Sequence, residues 1–171
     1  MAAGVMKSTT IINLNGTGNK QWTPIVPTVA ISINGDGNAE EGQATITDLK
    51  FTPDPTKAAA ADGGLFGLLE KNLTLKNIVL DGVTINHTNR VGALVAECKG
   101  VLTLENIDVK NATLDAKVCA GGVLADGSYS TSSVKMTNVA FDGGSITVDK
   151  GSILPFAGGL IGFANDIKLD M

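Results

Sequence analysis

The chain has few aromatic and few charged side chains: Phe, Trp and Tyr make 4% of 171 residues, and Asp, Glu, Lys and Arg 18%. It holds one arginine (Arg90), one histidine (His87) and two cysteines (Cys98 and Cys119). Each scarcity excludes something. The lysines are scattered singly, the formal charge is −4 and the pI is near 4.9. Binding to phosphate backbones needs clustered cations that displace counterions, so nucleic acid is not an expected partner. There is no CxxC pair and no histidine cluster, so neither a zinc site nor any other cofactor is expected. Cys98 closes VGALVAEC and Cys119 opens CAGGVLA. Stacking those segments would not align the sulfurs, so both read as unpaired thiols packed as small apolar fillers. The longest apolar run, ILPFAGGLIGFA at 153–164, falls short of the roughly 20 residues a membrane span needs. No membrane insertion is expected. MAAGVMKSTT lacks the apolar core of a signal peptide, so an exported natural form would have had its signal removed.

Against these absences stand 21 glycines, a mean hydropathy of +0.20 and many β-branched residues. That composition argues against disorder and for short strands joined by tight turns. The length suits one domain, with residues 1–10 as a tail and 11–171 as the folded unit.

Residues 73–85 read LTLKNIVLDGVTI, residues 102–114 read LTLENIDVKNATL, and residues 134–146 read VKMTNVAFDGGSI. Aligned on Asn77, Asn106 and Asn138, the copies are 29 and 32 residues apart. Apolar residues recur at fixed offsets: Leu75, Leu104 and Met136 before the asparagine, then Ile78, Ile107 and Val139, then Leu80, Val109 and Phe141, then Ile85, Leu114 and Ile146. They alternate as in strands, but their phase jumps at the asparagine. A corner is expected there, and another at Gly82, Asn111 and Gly143, residue types that accept positive φ. A glycine-rich strand precedes each copy: GGLFGLL at 63–69, VGALVA at 91–96, GGVLA at 121–125, and GGLIGFA at 158–164. About three short strands per unit of roughly 30 residues, without helical periodicity, predict an all-β solenoid whose coils must stack to bury their apolar faces. Four to five coils are expected, around 11–52, 63–86, 90–115, 119–148 and 157–171. In the first, Asp48 of ATITDLKF takes the asparagine's place, with Ile46, Leu49 and Phe51 at apolar offsets. DIKLDM begins a last coil and stops short of its asparagine, which suggests a piece of a longer chain.

Stacked in register, Asn77, Asn106, Asn138 and Asp48 would form a ladder of side-chain hydrogen bonds, a structural role. The columns Asp81, Lys110, Asp142 and Lys76, Glu105, Thr137 would help set register. The column Thr84, Thr113, Ser145 reads as an ordinary sheet face, since ice binding would want a matching second column. NGDGN at 34–38 spaces oxygens like part of a calcium loop, but Thr45 stands where the bidentate glutamate belongs. No metal ligand set is assigned. His87, in the connection INHTNRVG, reads as a surface turn.

The glycine motifs GGLFG, VGALVA, GGVLA and GGLIG, the phrase LTLKNIVLDGVTI with its copies, and the lead-in KQWTPI, INGDGN, ATITDLKF together resemble the GLUG-type repeats of bacterial surface proteins, especially large adhesin-like proteins of gut anaerobes. The resemblance covers about residues 11–171. It departs at the PDPTKAAAAD insertion (53–62) and the DGSYSTSS turn (126–133). It implies a right-handed parallel β-helix on an exported, cell-surface or extracellular protein, in adhesion or glycan contact. The expected partner is a glycan or a host surface protein, and no enzyme activity is expected from the residues.

Three functions follow. The first is a non-catalytic adhesin-like or spacer module whose contacts lie in inserted loops; Tyr129, Ser130, Asp54 and Lys57 are its candidate ligand-binding residues. Trp22, the other aromatic suited to sugar stacking, reads instead as packed in the N-terminal cap. The second is a fibre or shell subunit that self-assembles through end-to-end stacking of its coils. The third is a polysaccharide lyase or hydrolase. It is disfavoured because the glycine-rich strands carry almost no charge and Arg90 stands alone; no catalytic residue is assigned.

Overall fold

A computed structural model describes residues 11–14, 21–35, 43–53, 62–86, 89–152 and 155–171. Among them there is no helix: eighteen strands pair in parallel into four sheets. The architecture is a β-solenoid. The longest sheet stacks Ile11–Asn13, Ala44–Thr47, Leu73–Asp81, Val101–Lys110, Ser133–Asp142 and Lys168–Asp170, with Ile31–Asn34 also paired to Leu73–Asp81. The second contains Lys50–Phe51, Thr84–Asn86, Thr113–Ala116 and Ser145–Val148. The glycine-rich segments fold at their middles into two further sheets. One contains Arg90–Gly92, Cys119–Gly121 and Phe156–Gly158. The other contains Phe66–Leu69, Val95–Cys98, Leu124–Asp126 and Ile161–Phe163.

The asparagine corner is a kink inside one long strand, and the glycine-rich segment is two strands. The register is the one the repeat implies. Leu75 pairs with Leu104 and Leu104 with Met136; Ile78, Ile107 and Val139 line up beside them. Ile85, Leu114 and Ile146 do the same in the second sheet. These columns are the core: Leu75, Leu80, Ile85, Leu104, Ile107 and Leu114 are all inaccessible to solvent. No single coil could bury them, so stacking supplies the hydrophobic driving force.

Both corners have the expected left-handed backbone. Asn77, Asn106 and Asn138 have φ of 55°, 54° and 52°, and Asn111, Gly82 and Gly143 have 51°, 71° and 63°. Asn138 Nδ2 donates to Asn106 Oδ1 at 2.9 Å, and Asn106 Nδ2 to Asn77 Oδ1 at 2.8 Å. The ladder continues through a residue the repeat did not flag: Asn77 Nδ2 donates to Asn34 Oδ1 at 2.9 Å.

Asp48 is not on this ladder. The strand Ala44–Thr47 pairs with Ile78–Asp81, so Ala44 sits under Ile78 and Thr47 under Asp81. Asp48, at φ 60°, therefore occupies the second corner beside Gly82, where it accepts a hydrogen bond from Asn13 Nδ2 at 2.7 Å. The correction has a physical cause. Leu73–Asp81 is covered by two separate strands, Ile31–Asn34 under its first half and Ala44–Thr47 under its second. The residues between those strands shift the first coil's spacing.

Replacing Asn106 by Ala is expected to destabilise the solenoid by about 2–4 kcal/mol in denaturant melts. Stranding the ladder partners contributes about 1–3 kcal/mol, and a Cβ residue without a local polar bond at positive φ about 1 more. Asn106→Gly relieves the second term alone and should recover about 1 kcal/mol. A Gly variant no more stable than the Ala variant would contradict this division.

Candidate functional site

Four charged residues in or beside the otherwise apolar glycine-rich strands come together along one edge. Gly63 bridges to Val91, which places Asp62 one coil below Arg90. Glu97 pairs in register with Asp126, one coil above it. Arg90 lies among them. Its Nε donates to Asp126 Oδ2 at 2.7 Å, and its Nη1 is 3.5 Å from Asp62 Oδ2 and 3.6 Å from Glu97 Oε2. Lys99 adds a second cation, 3.3 Å from Glu97 Oε1. Glu97 and Asp126 are buried. Carboxylates survive burial when paired and hydrogen-bonded, and here each has a cation or donor within reach.

The turn after Asp126 is fastened to this network. The backbone N–H and Oγ of Ser128 both donate to Asp126 Oδ1. Tyr129 OH donates to Glu97 Oε1, and the Lys99 ammonium lies 4.9 Å from the Tyr129 ring centroid. Thr131 Oγ1 donates to the Lys99 carbonyl and Ser132 Oγ to the Cys98 carbonyl. The turn is thus docked on the coil below, with Tyr129 half-buried and Ser130 exposed. Asp54, Lys57 and His87 lie outside the described residues. Asp62, at the end of the insertion that carries Asp54 and Lys57, is tied through Arg90 to the strands beneath the Tyr129 turn. Asp62 and the Tyr129 turn therefore meet on one edge.

Burial pushes the Asp62 carboxyl up to about 6, against the pull of Arg90. For Glu97 burial acts in the same direction, but the Tyr129 hydrogen bond, Arg90 and Lys99 outweigh it and hold the carboxyl below its usual value. Burial and the neighbouring Glu97 raise Tyr129 to about 12. Burial would lower Arg90, yet its three carboxylates raise it. Cys98 and Cys119 are free and buried. Burial raises them to about 11 and about 12 respectively, with Asp126 adding to the rise at Cys119. Tyrosine and both thiols are therefore protonated near neutral pH, poor nucleophiles and poor bases. Among the groups with a resolved shift, Asp62 titrates closest to neutrality.

A carboxyl whose folded value is raised from 3.8 to about 6 weakens the fold as pH climbs between those values, and the penalty is complete above about 6. Asp62→Asn removes the charge and keeps an oxygen for Asn89 Nδ2, which donates to Asp62 Oδ1 at 2.9 Å. The variant is expected to match the parent near pH 4 and to exceed it at pH 8 by on the order of 1–3 kcal/mol. Urea melts at the two pH values check this. A pH-independent difference would contradict it.

Arg90 does not stand alone, and the sequence reading is corrected there; the few charges the glycine-rich strands do carry, Arg90, Glu97 and Asp126, are the ones that gather. Its own signal was available: Glu97 and Asp126 occupy equivalent repeat positions at the ends of runs otherwise built of small apolar residues. Trp22 does lie near the N-terminal end, half-buried against the core, with Nε1 donating to the Leu65 carbonyl at 3.1 Å. Among the described residues no group of His, Cys, Asp and Glu is arranged to hold a metal ion, and no helix is long and apolar enough to cross a membrane. Comparison with family models, with curated proteins and with solved structures returned no match.

Proposed function

We propose that this solenoid is a non-catalytic recognition or spacer module of an exported bacterial surface protein, adhesin-like, contacting a glycan or a host protein through the edge that carries the Tyr129 turn. The observation that carries the reading is the docking of that turn. Hydrogen bonds from Ser128, Tyr129, Thr131 and Ser132 fix a serine-rich loop on a rigid stack, with Ser130 and Thr131 at its exposed tip. A loop fixed before binding loses little entropy on contact, which favours recognition. The resemblance of the glycine motifs to surface-protein repeats supports the export and adhesion parts of the reading. Tyr129 and Ser130 are its contact residues on that turn, and Asp54 and Lys57, outside the described residues, are its further candidates.

A glycan array and host-cell binding assays test it. Binding should fall at least tenfold in Tyr129→Ala and in a chain lacking 54–61. Tyr129→Phe keeps the ring and should keep most of the binding if the contact is stacking. Wild-type binding by both the Ala variant and the deletion would remove this surface from consideration.

A second reading, polysaccharide hydrolysis or lysis, draws on one observation: Asp62 and Glu97 are driven in opposite directions beside Arg90, the pattern of an acid and base pair. It is the weaker reading because all three carboxylates are engaged by Arg90 and largely covered. Release of oligosaccharides from bound glycans, lost in Asp62→Asn, would reverse the ranking.

A further inference from the structure

The last coil leaves four sheets open. Lys168–Asp170, Ser145–Val148, Phe156–Gly158 and Ile161–Phe163 each stand at the end of their sheet, and among the described residues no strand lies beyond them. Open edges of this kind pair readily with another chain. Leu169 and Met171 are 43% and 67% exposed there, although Leu169 continues the column of the buried Leu73, Leu102 and Val134.

The strand Lys168–Asp170 fits one partner, its own copy reversed. The Lys168 N–H donates down the stack to the Ser132 carbonyl at 3.3 Å. Successive residues of a strand turn their backbone groups to opposite sides, so Leu169 presents both its N–H and its C=O to the open side. In an antiparallel pair, two such residues face each other and exchange both hydrogen bonds. Centred on Leu169, the run IKLDM at 167–171 is its own complement. Leu169 meets Leu169 of the second copy, Ile167 meets Met171, and Lys168 meets Asp170 on either side. These two charge pairs fall at the flanking positions without hydrogen bonds, where opposed side chains come closest. Lys168 is exposed, with no carboxylate beside it among the described residues, and Asp170 Oδ2 lies 3.1 Å from Lys135 Nζ, also exposed. A head-to-tail stack lacks this match. Continuing the columns, Ile31 of a second copy would follow Leu169 and Ser32 would follow Asp170, and Ile31–Asn34 carries no charge. We propose that two copies of this chain form a closed dimer through these ends, their Lys168–Asp170 strands antiparallel about a two-fold axis at Leu169. The same patch serves both copies, so assembly stops at two and does not grow into a fibre. The dimer does not depend on what the Tyr129 turn contacts.

Sedimentation equilibrium of the full chain should show monomer and dimer in exchange and no larger species. Lys168→Asp sets carboxylates opposite each other at both flanking positions, and Asp170→Lys sets ammonium groups there. Each should weaken the dimer at least tenfold while urea melts stay cooperative. Mixed in equal amounts, the two variants restore every opposite pair, and the mixture should dimerise at least tenfold more tightly than either alone. The doubly exchanged Lys168→Asp/Asp170→Lys chain restores the pairs within one protein and should dimerise like the parent, which covers a single variant that fails to fold. A parent that stays monomeric at about 1 mM, leaving this end to another partner, would overturn the proposal. So would growth beyond the dimer, single variants that dimerise as tightly as the parent, or a mixture no tighter than its components.

Discussion

Replacing Arg90 by Ala is expected to cost about 3–5 kcal/mol at pH 8, the range for removing one partner from a buried ionic group. Arg90 is the cation nearest to Asp62 and Asp126 and shares Glu97 with Lys99. Asp62, Glu97 and Asp126 have side chains only 12%, 9% and 8% exposed, so water cannot replace what the guanidinium provides. The loss should depend on pH, with a definite sign. Without Arg90 the Asp62 carboxyl, already raised by burial, rises further above its unfolded value, and a carboxyl so raised penalises the fold at high pH and ceases to do so once protonated. The deficit measured by urea melts should therefore shrink markedly between pH 8 and pH 5. Arg90→Lys keeps the charge but not the planar fork that reaches several carboxylates together, and should fall between parent and Ala variant. A deficit of the same size at both pH values would mean that Arg90 acts through the packing of its stem and not through its charge.

Much of the stack was legible from residue positions alone. The offsets around Asn77, Asn106 and Asn138 became hydrogen-bonded columns because a solenoid turns sequence period into spatial neighbourhood. The corner residues were legible because few side chains accept left-handed backbone. The same economy misled the reading at Asp48. Asparagine serves at both corners and Asp accepts the same left-handed backbone, so residue type cannot say which corner a lone Asp occupies. Only pairing of Ala44–Thr47 with Ile78–Asp81 decides it. Asn34 escaped notice because its strand is separated from the rest of its coil by the segment that follows Gly35. The charged edge was missed for another reason. Arg90, Glu97 and Asp126 contribute one or two charges per coil, and no single repeat contains the cluster. It exists only across three coils, with Asp62 supplied from a segment read as an insertion.

Gly121→Ala is expected to be the most damaging of the conservative changes, at least about 3 kcal/mol and enough to prevent folding at elevated temperature. Gly121 stands in register with Gly92 below and Gly158 above. At each of the three a Cβ would meet the carbonyl oxygen three residues further on: 2.0 Å from that of Val95, 1.9 Å from that of Leu124 and 1.8 Å from that of Ile161. At Gly121 the Gly162 amide nitrogen of the next coil adds a second contact at 2.6 Å. Both obstacles are backbone, so no rotamer change relieves them, and a shift in one coil passes to its neighbours through the parallel ladder. The glycine-rich motif is thus explained by the fold at the middle of the segment, where the backbone turns so tightly that only hydrogen fits. Gly159 provides the control, since a Cβ there would meet nothing within 4 Å; Gly159→Ala should leave the melting free energy within about 0.5 kcal/mol of the parent. Equal effects at Gly121 and Gly159 would show that these glycines act through chain flexibility in the unfolded state and not through close approach in the folded one.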